Sequence, residues 1–246
     1  MNLSLPKNVL LEICATSLEY ALAAERAGAD RIELCSDLEC GGVTPSTGLM
    51  EAIRARVRIP IHVLIRPRPG DFFYSAQELL TMRRQIQSAI DLHIDGIVLG
   101  VLDNNCEVDI SRTRELVECA RPLPVTFHRA FDETRSWQKS LEGVIQTGAR
   151  RLLTSGCRAN AIKGLSNLTG VVRQAANRLT VMPGGGITPA NGIRIVRSIS
   201  AREIHGSLLT PALRKTADGK DRSRQIELYY RRVRKMVLLL RSVSMR

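Results

Sequence analysis

Polar side chains recur at fixed places in short apolar runs of this chain. Glu12 and Cys14 lie in V-L-L-E-I-C, and Glu33 and Cys35 lie in D-R-I-E-L-C. His62 and Arg66 lie in P-I-H-V-L-I-R, Thr126 and His128 in P-V-T-F-H, and Glu203 and His205 in A-R-E-I-H. In a strand, alternate side chains share a face, so each of these sets points one way while its apolar neighbours point the other. Two thiols ending neighbouring strands, about 4.8 Å apart, could clamp one Cu(I), a soft ion that favours sulfur. Cys14 and Cys35 are therefore candidate metal ligands, with His128 as a third. Free cysteines also serve as small buried hydrophobes, which is the plainer use of the pair.

A different chemistry is available from the same set. Glu33 or His128 could act as a general base while Arg66 fixes an anionic substrate. Gly184-Gly185-Gly186 and Gly206-Ser207 follow two late apolar runs. A Gly-rich turn exposes backbone N–H groups that favour an anion; relief of crowding in a tight loop would need the same glycines. Arg66, Arg68 and Arg129 would add positive charge to such a site. Mid-strand Glu12 suits a structural ion pair, as does a pairing of Glu33 with Arg66. An enzyme would need a cleft of roughly 300 Å³ or more lined by Glu33, Arg66 and His128. A metal carrier needs the two sulfurs within about 4–5 Å of each other, given metal–thiolate bonds near 2.3 Å.

Eight strand–helix units position these residues. Strands are predicted at 9–14, 30–35, 60–66, 95–101, 124–128, 150–155, 179–182 and 201–205. Helices are predicted at 18–27, 46–57, 77–92, 109–119, 137–146, 161–176, 189–197 and 222–240, from apolar residues at helical spacing. Thr44 is placed to cap the second helix and Pro45 to open it. Strands alternating with helices imply a parallel sheet, and eight such units in about 250 residues imply a single-domain (β/α)₈ TIM barrel. A doubly wound sheet is disfavoured, because no G-x-G-x-x-G follows the first strand. In the barrel, Leu11, Ile13, Ile32, Leu34, Val125 and Phe127 should face the outer helices. The polar sets should point inward, with Cys14, Cys35, Arg66, His128 and His205 near the C-terminal mouth, where barrel active sites lie.

The 246 residues carry 36 Lys or Arg against 24 Asp or Glu, a formal net charge of +12. From Leu208 onward there are eleven Lys or Arg against three Asp or Glu, so most of the excess sits in the last segment. Tyr229-Tyr230 is its only aromatic pair, and it holds no zinc-finger or helix-turn-helix pattern. It reads as a solvated basic helix, and nucleic-acid binding is not expected. No apolar run is long enough to span a membrane. The N-terminus lacks the basic-then-apolar design of a signal peptide, so a cytoplasmic setting is expected. The six cysteines are then reduced, and the absence of C-x-x-C argues against a zinc knuckle.

The chain resembles the CutC family, named for copper homeostasis. The matching strings are L-E-I-C-A-T-S-L-E at 11–19, G-A-D-R-I-E-L-C at 28–35, G-G-V-T-P-S at 41–46 and I-R-P-R-P-G-D-F-F-Y-S at 65–75. They continue with V-T-F-H-R-A-F-D at 125–132, R-L-L-T-S-G at 151–156, M-P-G-G-G-I at 182–187 and R-E-I-H-G-S at 202–207. The resemblance runs from about residue 10 to 207 and implies a TIM barrel and a cytoplasmic protein that binds copper, with Cys14 and Cys35 as the natural ligands. Phe73 stands where the family often has a cysteine, and Pro69 where it has a glycine. Residues 208–246 follow no family pattern. The partners implied are a copper ion or a small anionic ligand, and a homo-oligomer is expected.

Overall fold

The computed structural model describes residues 8–210, 213 and 219–243. Eight strands are present: β1 (Leu10–Ala15), β2 (Arg31–Leu34), β3 (Ile61–Leu64), β4 (Gly96–Leu99), β5 (Val125–Phe127), β6 (Arg151–Thr154), β7 (Thr180–Pro183) and β8 (Glu203–Gly206). Each is followed by a helix: α1 (Leu18–Ala27), α2 (Thr47–Arg54), α3 (Ala76–Asp91), α4 (Ile110–Cys119), α5 (Trp137–Gln146), α6 (Leu165–Ala175), α7 (Gly192–Ile199) and α8 (Gly219–Val243). The strands pair in parallel in the order β7-β6-β5-β4-β3-β2-β1-β8. β7 and β8 lie side by side, which brings the ends of the sheet together. The architecture is a (β/α)₈ barrel in one domain.

Strand parity divides the core in two. Leu11, Ile13, Ile32, Leu34, Ile61, Val63, Val125 and Phe127 belong to the large apolar shell between the sheet and the helices. Cys14, Cys35, Leu64 and Val98 form a separate cluster inside the barrel. The alternation expected from the sequence is thus realised. Two glycines make the interior wide enough for imidazoles. A Cβ on Gly96 would lie 2.4 Å from the His62 ring, and one on Gly100 would lie 2.7 Å from the His128 ring.

The cap of α2 differs from expectation. Ser46, not Thr44, is the N-cap: it is extended and its hydroxyl accepts from the Leu49 N–H at 3.3 Å. The Thr44 hydroxyl is already engaged, accepting the Arg66 N–H at 2.8 Å. Pro45 consequently precedes the cap instead of opening the helix. α6 also starts later than predicted, at Leu165, because Gly164 packs its Cα side against the Ser155 carbonyl.

α8 begins at Gly219 and runs to Val243, a little longer than predicted at each end. It completes the ring by packing on α1 and α7. Tyr229 is buried and meets Tyr20 edge-on with ring centroids 4.8 Å apart. The Arg26 guanidinium lies over Tyr230, 5.3 Å from its centroid. The apolar stripe predicted for this helix is therefore core, and most of its basic residues lie on the other face.

Candidate functional site

The inner residues of the barrel fall into two levels. At the lower level, Glu12 is fully buried on β1, opposite Arg31 of β2 and His205 of β8 in the ladder registers. Arg31 donates through Nε to Glu12 Oε2 at 2.5 Å and through Nη2 to Glu203. Arg151 donates to Glu203 at 2.9 Å. Charges taken out of water need such partners, and here two arginines and two carboxylates alternate. His62 lies 3.7 Å from Glu12; burial lowers its pKa to about 4, against the pull of Glu12, so it is neutral near pH 7.

The second oxygen of Glu12 reaches upward. Its Oε1 is 2.7 Å from His205 Nδ1. This leaves His205 Nε2 facing Glu33 Oε2 at 3.6 Å. Burial alone would raise the Glu12 pKa, but the His205 hydrogen bond and the Arg31 charge outweigh it and hold the carboxylate well below its usual range. Burial opposes protonation of His205, yet Glu33 and Glu12 raise its pKa above the ordinary value. Burial likewise raises Glu33. A carboxylate that orients one imidazole nitrogen while the other faces a cavity is the arrangement general acid–base chemistry uses.

Above this pair lies a cavity of about 350 Å³ at the C-terminal mouth. Its wall includes Glu33, Arg66 and His128, the three residues read as catalytic from the sequence. Cys14 and Cys35 are also in that wall, with their sulfurs 3.3 Å apart. Both are buried and neither is in a disulfide. The hydrogen bond with Cys35, then burial, then the Glu33 charge all raise the Cys14 pKa well above its ordinary value. That thiol is protonated at neutral pH.

The anticipated ion pair between Glu33 and Arg66 does not form. Arg66 donates instead to the carbonyls of Cys40, Gly42 and Gly70 at 3.0, 2.8 and 2.6 Å. It ties together the loops after β2 and β3, and its guanidinium lies over the Phe72 ring. Its Nε has no partner among the described residues. His128 Nδ1 accepts the Ala130 N–H at 3.2 Å, so Nε2 carries the proton, and it too has no acceptor among the described residues. Burial and the Arg66 charge lower the His128 pKa to about 3. As it stands, His128 is a neutral donor at the cavity wall.

Of the residues read as anion-binding, Gly185, Gly186, Gly206 and Ser207 line the cavity together with Arg66. Arg68 does not line it, because it pairs with Asp71 at 2.9 Å and with Glu78 at 2.5 Å beside α3. Gly184 sits below the mouth, where a Cβ would meet Leu153 at 2.4 Å. Arg129 lines the cavity and is held by Asp132 at 2.8 Å and Ser155 at 3.1 Å.

Several participants escaped the sequence reading. Arg31 and Arg151 share the inward parity of Glu33 and Ser155, which was the available signal. The Glu12–His205 contact follows only from barrel closure, since 193 residues separate the two. Among the described residues, no helix is long and apolar enough to cross a membrane.

A profile of the CutC family matches residues 9–210. A Xanthomonas campestris pv. campestris protein named as a family protein CutC is 45% identical over 201 residues, covering 82% of this chain and 84% of the relative. The human protein named "Copper homeostasis protein cutC homolog" is 46% identical over 198 residues, covering 80% of this chain and 72% of the relative. The crystal structure of a CutC protein from Streptococcus agalactiae superposes with a TM-score of 0.77 at 32% identity, covering 82% of this chain and all of that one.

Proposed function

Because this chain belongs to the CutC family, we propose that it takes part in copper homeostasis by binding one Cu(I) between Cys14 and Cys35 in a reducing, cytoplasmic setting. The observation that carries this reading is the contact of two buried thiols, 3.3 Å apart, in the wall of an open-mouthed cavity. Thioethers and thiolates are the donors that select Cu(I). With bonds of about 2.3 Å each, two sulfurs on one ion lie at most about 4.6 Å apart. The sulfurs then move apart by at most a little over 1 Å, within reach of small side-chain rotations on separate strands. His128 is the third donor we assign, through the nitrogen now bonded to the Ala130 N–H or through the unpaired one after tautomer exchange. The names of the human and mouse relatives, which are called copper homeostasis protein cutC homologs, agree with a role in copper handling.

The test is an anaerobic titration of the reduced protein with Cu(I) against a competing chelator. One ion per chain, lost in both Cys14→Ser and Cys35→Ser, is the expected result. Uptake by both variants equal to that of the unmodified protein would overturn the assignment.

A further inference from the structure

The last helix lies outside the family match, which stops at residue 210, yet it delivers a charge to the mouth. Arg232 of α8 lines the cavity. Its Nε donates to the Leu208 carbonyl at 2.9 Å, which anchors the stem and leaves both terminal nitrogens without a partner among the described residues. Arg129 approaches from the loop after β5. A Cβ on Gly185 would lie 3.2 Å from the Arg129 guanidinium carbon, so that group lies directly against the Gly185 backbone.

The loops after β7 and β8 supply donors of another kind. The backbone N–H groups of Gly185, Gly186 and Ser207 have no acceptor among the described residues. Gly185 and Gly186 have φ of 86° and 68°, conformations that L side chains rarely adopt. In TIM barrels the loops after strands seven and eight frequently bind phosphate, and unpaired backbone amides are strong donors to anions. Deeper in the same wall, His128 is 5% exposed and its Nε2–H has no acceptor among the described residues. An unsatisfied buried donor is costly and calls for a ligand acceptor. Against these donors the wall carries one carboxylate, Glu33.

We propose that the mouth binds a small phosphorylated molecule, with its phosphate held by the Gly185, Gly186 and Ser207 amides and by the Arg129 and Arg232 guanidinia. Arg232 makes the C-terminal helix part of the binding site and gives one of its many basic residues a defined use. The cavity of about 350 Å³ admits a compact metabolite and excludes a polymer. The body of the ligand extends toward His205 and Glu33, below the rim. The atoms that hold the phosphate are neither the two thiols nor the His128 ring, so the phosphate site stands or falls separately from copper binding.

Calorimetric titration with glycerol 3-phosphate, repeated in the presence of inorganic phosphate, tests the proposal. The expected result is saturable one-to-one binding that inorganic phosphate displaces. Arg232→Met should weaken it about tenfold or more, the scale of a lost charge-assisted hydrogen bond. Arg231→Met makes the same charge change one residue away, where Arg231 pairs with Glu227 on the exposed face, and should leave affinity within about twofold. Because Arg232 is only half-buried on a surface helix, folding of the variant is readily confirmed by circular dichroism. No saturable binding of either phosphate probe to the unmodified protein would overturn the proposal. Equal weakening by the two variants would overturn it too, since that is a net-charge effect.

Discussion

Replacing Glu12 by Gln removes one negative charge from the lower level of the barrel and keeps the shape of the side chain. Glu12 is fully buried and bonds Arg31 and His205, with His62 close by. Removing one member of a buried ion pair costs about 3–5 kcal/mol, mostly from the partner left uncompensated. Arg31 keeps Glu203, so the low end applies, about 3 kcal/mol. For a domain of this length, about 2 °C of Tm accompanies each kcal/mol, which gives a fall of about 6 °C in a calorimetric scan. The deficit should also depend on pH. The folded-state pKa of His205 is raised, partly by Glu12. Its contribution is therefore fully present below the unfolded value near 6.5 and is lost as pH rises through the folded value. The Tm deficit of Glu12→Gln should be larger at pH 6 than at pH 9, where His205 is neutral and its charge no longer adds to the loss. A Tm within about 1 °C of the unmodified protein at pH 6, or a deficit larger at pH 9, would refute the ion-pair reasoning.

Other outcomes follow from the same geometry. Gly96→Ala pushes a methyl group into the His62 ring, 2.4 Å away, and should cost about 1–3 kcal/mol by overpacking in urea unfolding. Gly48→Ala, at an exposed position of α2 with nothing within 4 Å, should instead stabilise by roughly 0.5–1 kcal/mol. Arg66→Lys cannot reach three carbonyls with a planar fork and should lower stability by about 2 kcal/mol, read from the same unfolding curves. Cys14 is protonated at neutral pH because its pKa is raised, so loading Cu(I) displaces at least one proton. The apparent Cu(I) affinity should rise by about tenfold per pH unit for each proton displaced between pH 6 and 8, measured by chelator competition; a pH-independent affinity would contradict thiol coordination.

Much of this arrangement is legible in the residues themselves. The alternation of Ile32 and Leu34 with Glu33 and Cys35 assigns faces, and the same rule holds in β1, β3 and β5. That parity also marks Arg31 and Arg151 as inward, but their positions at the starts of strands hide their role. Each long side chain runs along the barrel interior to meet Glu203. Glu33 and Arg66 looked complementary because both point inward. The partner of Arg66 is instead a set of carbonyls turned toward it by the Cys40–Gly42 and Gly70 loops, and backbone conformation is not written in a charge pattern. Thr44 and Ser46 are equally good caps in sequence; the Arg66 N–H takes one and leaves the other. Arg232 was only one of many basic residues until the packing of α8 on α1 and α7 fixed which of its faces meets the mouth.

Copper coordination by both thiols is the central claim, and X-ray absorption at the copper K-edge of the anaerobic, singly loaded protein tests it most directly. The predicted spectrum shows Cu(I) with two sulfur scatterers at about 2.3 Å, reduced to one in Cys14→Ser. A first shell made only of nitrogen and oxygen, or one unchanged in Cys14→Ser and Cys35→Ser, would contradict it.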